Sequence, residues 1–361
     1  MNYKKIFNNK KILITGHTGF KGSWLTLWLQ NLGGKIIGVS KNTLSSPSHF
    51  NSLKFSNTIV SKSLDITNFV KLKKIINTTK PDFVFHLAAQ ALVKKSYINT
   101  LDTWQSNLIG TVNLLESLKD YKKKVNVILI TSDKAYKNLE IRRGYREDDL
   151  LGGLDPYGAS KSSAELAIKS YIKSFFSSKN NKVSIAIARA GNVIGGGDWS
   201  ENRLVPDCIR SWSRKKKAVI RNPNSTRPWQ HVLEALNGYI ILAINLKTNK
   251  KKYHGQAFNF GPNNKHSFKV IEVVKEMKKH WSVIRWKTLK SKKTFFENTL
   301  LKLNSSKAKK NLNWKCILQF NETIFLTTDW YKKFYKDKNK VKKNSLNQIV
   351  YYQKLINERK N

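Results

Sequence analysis

Lys11-Ile12-Leu13-Ile14-Thr15 runs straight into Gly16-His17-Thr18-Gly19-Phe20-Lys21-Gly22, and the fold turns on these twelve residues. The first five are largely apolar and stop at glycine, which reads as a strand buried on both faces. Helical spacing follows from Ser23 to Leu32 and ends at Gly33-Gly34, a fitting C-terminal cap. Glycines between a strand and a helix permit a tight turn and let the backbone approach a pyrophosphate. The helix N-terminus then offers free N–H groups to the anion. The spacing is G-x-x-G-x-x-G, weak as a lone match, so the flanking strand and helix carry the reading. Gly16, Thr18, Gly19, Phe20, Lys21 and Gly22 form the candidate dinucleotide cradle.

Outward from this turn the chain alternates. Strands are expected at Lys35–Val39, Asn57–Ser61, Asp82–Leu87, Val125–Thr131 and Val183–Arg189, with helical stretches between them, notably Asn107–Leu118. That order predicts an α/β fold with a doubly wound parallel Rossmann sheet. After Gly191 the pattern loosens into a Gly-, Pro- and Trp-containing stretch. A helix over Val232–Leu246 and a strand over Ala257–Phe260 then return to the sheet. We expect a dinucleotide-binding domain of residues 1–191 with 231–261. Residues 192–230 with 262–336 form a smaller C-terminal α/β substrate domain, and 337–361 a basic tail extra to the fold.

Composition narrows the function classes. The chain has 361 residues, 40% of them hydrophobic, enough for a buried core. Lys and Arg number 67 against 23 Asp and Glu, a net charge of +44. The lysines are scattered, are heaviest after about Lys247, and accompany no nucleic-acid-binding signature, so they read as solvated faces. They still favour capture of an anionic small molecule. Two cysteines, Cys208 and Cys316, exclude a disulfide scaffold or Cys-based zinc site, and His17 and His86 form no metal set. The apolar run Tyr239–Ile244 is far too short to cross a bilayer, and the first ten residues carry no secretory signal. A cytoplasmic protein is expected.

Behind the second strand, where an acid usually holds the adenosine ribose, stands Ser40-Lys41-Asn42. Asn42 can hydrogen-bond a ribose hydroxyl while Lys41 tolerates a 2′-phosphate, which leaves NAD and NADP both open. Asp65 is either a partner for the adenine amino group or a helix cap in Asp65-Ile66-Thr67-Asn68.

Tyr157 and Lys161 in Tyr157-Gly158-Ala159-Ser160-Lys161 share one helical face. An ammonium beside a phenol favours phenolate and makes a usable base. Ser132, directly after the Val125–Thr131 strand, can share the substrate alcohol with Tyr157. This set resembles the short-chain dehydrogenase/reductase superfamily in its extended form. Ser132-Asp133-Lys134 narrows the likeness to the CDP-glucose 4,6-dehydratases, where relatives acting on dTDP-glucose carry Asp-Glu. His86-Leu87-Ala88-Ala89-Gln90, Ala188-Arg189-Ala190-Gly191-Asn192 through Trp199, and Thr226-Arg227-Pro228-Trp229-Gln230-His231 resemble that family too. The likeness covers about residues 10–335. It departs at Ser40-Lys41-Asn42 and at Gly158-Ala159.

The resemblance implies bound NAD and a homodimer or higher homo-oligomer without nucleic-acid or membrane partners. It also implies a place in deoxysugar (O-antigen type) biosynthesis. Tyr157, supported by Lys161, would take the C4 hydroxyl proton, Lys134 the C5 proton, and Asp133 would protonate the departing C6 hydroxyl. Ala88 and Ala89 would line the cofactor pocket; Asn192, Arg203 and Arg227 would hold the substrate diphosphate, with His231 nearby in the substrate site. Trp199 and Trp229 either stack on a base or pack in the core. An NAD-dependent epimerase on the same fold, or a silent nucleotide-binding protein, are the rival readings.

Overall fold

The computed structural model describes residues 3–43, 45–141, 143–262, 267–288 and 301–359. Seven strands form one sheet: β1 (Lys11–Thr15), β2 (Lys35–Ser40), β3 (Val60–Ser63), β4 (Phe83–His86), β5 (Val125–Ile130), β6 (Val183–Ala190) and β7 (Ala257–Phe260). Their order is β7-β6-β5-β4-β1-β2-β3, every neighbour parallel. Alternate residues supply two cores. Ile12, Ile14, Ile128 and Ile130 enter one apolar cluster with Trp24, Trp28 and Ile240. Leu13, Val127 and Leu129 enter the other with Leu72, Leu114 and Ile168. A sheet buried on both faces explains strands that read as continuous apolar runs.

The helices on these faces include α1 (Phe20–Asn31), α2 (Phe69–Thr79), α3 (Gly110–Leu118), α4 (Pro156–Phe175) and, between β6 and β7, α5 (Leu204–Ser213) and α6 (Val232–Thr248). Strand order reverses between β1 and β4, and the crevice beyond their carboxyl ends is where such sheets bind ligands. Gly16 ends β1 there, and a Cβ on it would lie 2.7 Å from the Ala88 nitrogen after β4.

Two expectations shift. β3 begins three residues later than the apolar pattern suggested, behind a 3-10 turn at Ser56–Thr58. It is an exposed edge strand, so no core face imprints a periodicity on it. The helix expected from Asn107 is α-helical only from Gly110, because Gln105–Ile109 form a π-turn.

Beyond β6 the chain builds two-stranded pairs, Val193–Ile194 with Gln230–His231, Thr226–Arg227 with Phe268–Lys269, and Ala218–Ile220 with Trp286–Thr288. Helices α7 (Val270–His280) and α8 (Phe320–Lys336) accompany them. Residues 263–266 and 289–300 of the expected substrate domain lie outside the described residues.

The segment after Lys336 is not a solvated tail. It forms α9 (Val341–Glu358), whose Val341, Ile349, Tyr352, Leu355 and Ile356 are buried in the first apolar cluster. Lys338, Lys340, Lys343 and Lys354 stay exposed. The lysine count masked an amphipathic stripe. Tyr352 lies edge-on to Trp28 at 5.8 Å and donates a 2.6 Å hydrogen bond to the buried Glu234 carboxyl. Among the described residues no helix is long and apolar enough to cross a membrane.

Candidate active site

The glycine turn closes as its sequence demands. Gly16 has φ +76°, a conformation side chains rarely adopt, and a Cβ on Gly22 would stand 2.0 Å from the Gly16 carbonyl oxygen. Gly19 N-caps α1 without any side-chain cap bond, so no side chain covers the first helical amides. Thr18 is pinned by its hydroxyl to the Asn42 carbonyl at 2.8 Å. The Phe20 ring approaches Gly195. Half-buried Lys21 reaches the Tyr239 hydroxyl at 3.5 Å. Burial lowers Lys21 to about 8, with Arg203 and Lys161 pushing the same way and Asp133 opposing. Ala88 and Ala89 are half-buried after β4.

At the rim, Lys41 pairs with Asp65 at 2.9 Å, and Asp65 also accepts from the Thr67 amide and hydroxyl. The helix that follows, α2, is capped by Asn68 and not by Asp65. Burial would raise Asp65, but its bonds to Thr67 and Lys41 hold it below the usual carboxylate range. Asn42 is exposed. Ser40 is buried and shares His17 Nδ1 at 2.9 Å, while His17 Nε2 meets Ser61 at 2.8 Å.

The inner wall is built differently. Asp155 caps α4, its carboxylate accepting from the Tyr157 and Gly158 amides, with Pro156 at the first helical position. A Cβ on Gly158 would be 2.9 Å from the Lys134 carbonyl oxygen, and one on Gly153 would be 2.3 Å from the Gly158 carbonyl carbon. The departure at Gly158 therefore lets the helix start press against the Asp133–Ala135 turn. Ser162 locks that contact by donating to the Ala135 carbonyl at 2.8 Å.

Ser132 caps that turn. Its hydroxyl accepts from the Lys134 amide, donates to Asp133 Oδ1 at 2.9 Å, and opposes the rise that burial causes in Tyr157. All three side chains are buried, as is Lys161. Asp133 fits because residue 191 is glycine; a Cβ there would sit 2.9 Å from Asp133 Oδ2. Burial raises Asp133 above the ordinary carboxylate range, with Lys134, Ser132 and Lys21 opposing, which favours a proton-holding acid. Lys134 is half-buried.

The expectation of a Lys161-stabilised phenolate meets a correction. Burial pushes Tyr157 up to about 12, and the groups that pull it back are the Ser132 hydrogen bond and the Arg203 charge. Lys161 itself is lowered to about 8 by burial, against the charge of Glu165.

The residues expected at the diphosphate divide. Arg203 bonds Asp198 at 3.1 Å, and its charge acts on both Tyr157 and Lys21. Asn192 is exposed just past β6, and half-buried Arg227 donates to the Thr226 carbonyl. His231 is fully buried instead; its Nδ1 accepts from the Leu233 amide and caps α6, with the ring edge-on to Trp24. Helix capping draws it inward, away from any open surface. Trp199 packs in the core against Trp330 and Phe334, and Trp229 donates to the Phe268 carbonyl.

Sequence reasoning missed the supports. Asn107, freed by the π-turn, bonds the Gln90 backbone and the Ser160 hydroxyl, tying the β4 loop to the helix of Tyr157 and Lys161. Glu165, one turn past Lys161, forms a fully buried pair with Arg189 and accepts from Thr131. The only signal for either was spacing on a helix already under suspicion.

Comparison with known proteins agrees with this geometry. A family model described as GDP-mannose 4,6 dehydratase matches residues 13–327. A CDP-glucose 4,6-dehydratase of Salmonella typhimurium is 42% identical over 332 residues, 91% of this chain and 92% of that protein. A dTDP-D-glucose 4,6-dehydratase of Dictyostelium discoideum is 31% identical, over 72% of this chain and 60% of that protein. The dTDP-glucose 4,6-dehydratase of Bacillus anthracis, solved with NAD, superposes with TM-score 0.71 at 23% identity, over 90% of this chain and 97% of that one. A seven-stranded parallel sheet, a glycine turn at its switch point and a match along most of the chain lead to one conclusion: the chain belongs to the GDP-mannose 4,6 dehydratase family.

Proposed function

We propose that the chain is an NAD-dependent nucleotide-sugar 4,6-dehydratase that converts CDP-glucose to CDP-4-keto-6-deoxyglucose and water. The observation that carries this reading is the buried acid Asp133, hydrogen-bonded to Ser132, since an epimerase expels no C6 oxygen and needs no acid to protonate it. Cytidine is supported by the 42% identical relative and by Ser132-Asp133-Lys134.

The cradle fits a dinucleotide, because Gly16 and Gly22 let the turn close tightly on itself and Gly19 opens α1 with no N-cap side chain over its first amides. Gly16, Thr18, Gly19, Phe20, Lys21 and Gly22 would hold its pyrophosphate, Asn42 and Asp65 its adenosine end, and Ala88, Ala89, Tyr157 and Lys161 its other half. When bound, NAD supplies the acceptor and donor of hydride for C4 and C6. Tyr157 takes the C4 hydroxyl proton, in a pocket where Ser132 and Arg203 favour an anionic oxygen. The ketone so formed acidifies C5–H, whose proton Lys134 takes and later gives back to C5. Asp133 gives its proton to the C6 oxygen, which leaves as water. Asn192, Arg203 and Arg227 are read as diphosphate ligands, since guanidinium forks and an amide suit phosphate oxygens.

Residues 1–191 with 231–261 are read as the cofactor part, and 192–230 with 262–336 as the sugar-nucleotide part. Ile98, Leu101 and Leu154, 74%, 71% and 77% exposed around α4, support a homodimer through this helical face. Two free cysteines fit work in the cytoplasm. The test is incubation with CDP-, dTDP-, GDP- and UDP-glucose and mass measurement of the products. Loss of water from CDP-glucose alone is expected; an epimerised sugar of unchanged mass overturns the proposal.

A further inference from the structure

The lysines are not spread evenly over the fold. The chain returns to the amino ends of six adjoining parallel strands, in the spatial order β7-β6-β5-β4-β1-β2. The segments that enter them are residues 247–257, 176–183, 119–125, 80–83, 3–11 and 32–35. Together they hold sixteen lysines, two aspartates and no arginine. That is a net charge of +14 in 43 residues, where the chain's +44 over 361 residues would give about +5.

Backbone hydrogen bonds set these segments side by side. The Lys35 amide donates to the Lys10 carbonyl at 2.8 Å, the Asp82 amide to the Lys11 carbonyl at 2.8 Å, and the Val125 amide to the Lys182 carbonyl at 3.0 Å. Both aspartates are already taken, Asp82 by Lys123 at 2.8 Å and Asp120 by Lys73 at 3.9 Å. Like charges are left facing one another: burial and then Lys10 lower Lys247, and burial and then Lys124 lower Lys250. With strands ~4.8 Å apart, the six entries spread this charge over about 24 Å. The cradle and the acid Asp133 lie at the opposite, carboxyl end of the sheet.

The chemistry of the face selects its partner. Every Phe and Tyr in these segments (Tyr3, Phe7, Phe83, Tyr121, Phe176 and Tyr253) is buried, which leaves no platform on which a nucleic-acid base could stack. Lysine supplies point charge without the fork that arginine offers to a single phosphate. A dispersed layer of ammonium groups matches a surface whose own charge is dispersed, the anionic headgroups of a bilayer.

We propose that the amino-end face of the sheet docks peripherally on an anionic lipid bilayer, leaving the crevice at the other end open to solvent. This goes beyond the function proposed above and departs from the expectation of no membrane partner, which the resemblance alone supplied. Among the described residues no helix is long and apolar enough to cross a membrane, so the contact is with headgroups.

The test is co-sedimentation of the full chain with vesicles of phosphatidylcholine, alone or with about 30% phosphatidylserine, at about 0.15 M salt. Two variants lose four exposed lysines each. One carries Lys4→Gln, Lys35→Gln, Lys124→Gln and Lys251→Gln at the amino ends. The other carries Lys275→Gln, Lys332→Gln, Lys343→Gln and Lys354→Gln on α7, α8 and α9. Wild type should bind the anionic vesicles and not the neutral ones. The first variant should bind about 10²-fold more weakly, and the second within about threefold of wild type. The two variants have the same net charge, so an equal loss in both means bulk attraction only and overturns the proposal. A wild type that stays in the supernatant, binds neutral vesicles equally, or binds a single-stranded RNA or a DNA duplex more tightly also overturns it. Binding is read without substrate, so its failure is distinct from a failure to dehydrate CDP-glucose.

Discussion

The rim of the crevice and its inner wall handle polar groups in opposite ways. At the rim Lys41 and Asp65 pair with each other, the lysine side chain 64% exposed, and Asn42 faces solvent. At the wall Ser132, Asp133, Tyr157 and Lys161 are all buried, in a setting where desolvation raises Asp133 and Tyr157 and lowers Lys161. Water weakens the exposed Lys41–Asp65 pair far more than the buried contact between Ser132 and Asp133. A buried polar set costs stability unless it is hydrogen-bonded or paired, and groups shifted by burial in a crevice mark functional sites, so the wall is where function concentrates.

Replacement of the wall's phenol tests this contrast hardest. Tyr157→Phe should lower kcat by about 10³-fold without changing the melting temperature, since only a hydroxyl is lost. Formation of the 4-keto sugar, followed by its absorbance in base, measures it. A loss below tenfold would break the contrast.

Asp133→Asn should cost about 10²-fold with CDP-glucose and far less with the 6-deoxy-6-fluoro analogue, because fluoride leaves without a proton. Equal losses on both compounds would show that Asp133 only shapes the pocket.

Burial of titratable groups has a pH signature of its own. His17 is lowered to about 4 and His49, His86 and His231 to about 3, all by burial. The unfolded chain binds those protons near pH 6.5, so their stabilisation is present above that pH and lost as pH falls toward 4. Glu234 acts in the opposite sense: burial raises it to about 7, so its contribution is full below about 4.5 and lost as pH rises through 7. Four groups outweigh one, and the melting temperature should drop steadily from pH 6.5 to 4.5. Calorimetry across that window would contradict the reading if the midpoint stayed level.

The smallest effect belongs to the rim. Asn42→Ala and Lys41→Ala should each change NAD affinity by under about threefold, as equilibrium titration would register. A tenfold loss from either would erase the distinction between rim and wall.

Local grammar was legible in the sequence; contact across distance was not. β1, its glycine turn and the Tyr157 helix declare themselves because strand burial, φ sign and capping act over a few residues. Ser132 and Asp133 were readable as candidates, since they end a buried strand. Nothing in the motif around His231 signals that its ring caps α6 from within the core. Asn107 and Glu165 were missed since their partners, Ser160 and Arg189, lie 53 and 24 residues away. α9 was misjudged because lysine content drowned its apolar stripe, and only Glu234, 118 residues upstream, gives Tyr352 its partner.

That last contact sets an order of events during synthesis. A nascent chain emerges N-terminus first, so the cradle and the Tyr157 helix are made long before α9. Until then Glu234 lacks its phenol and Trp28 its edge-on neighbour, while His49 waits for the Ser345 hydroxyl at 3.0 Å. A translation product broken off before Val341 would carry every catalytic side chain yet leave a bare apolar strip, inviting chaperones and proteases.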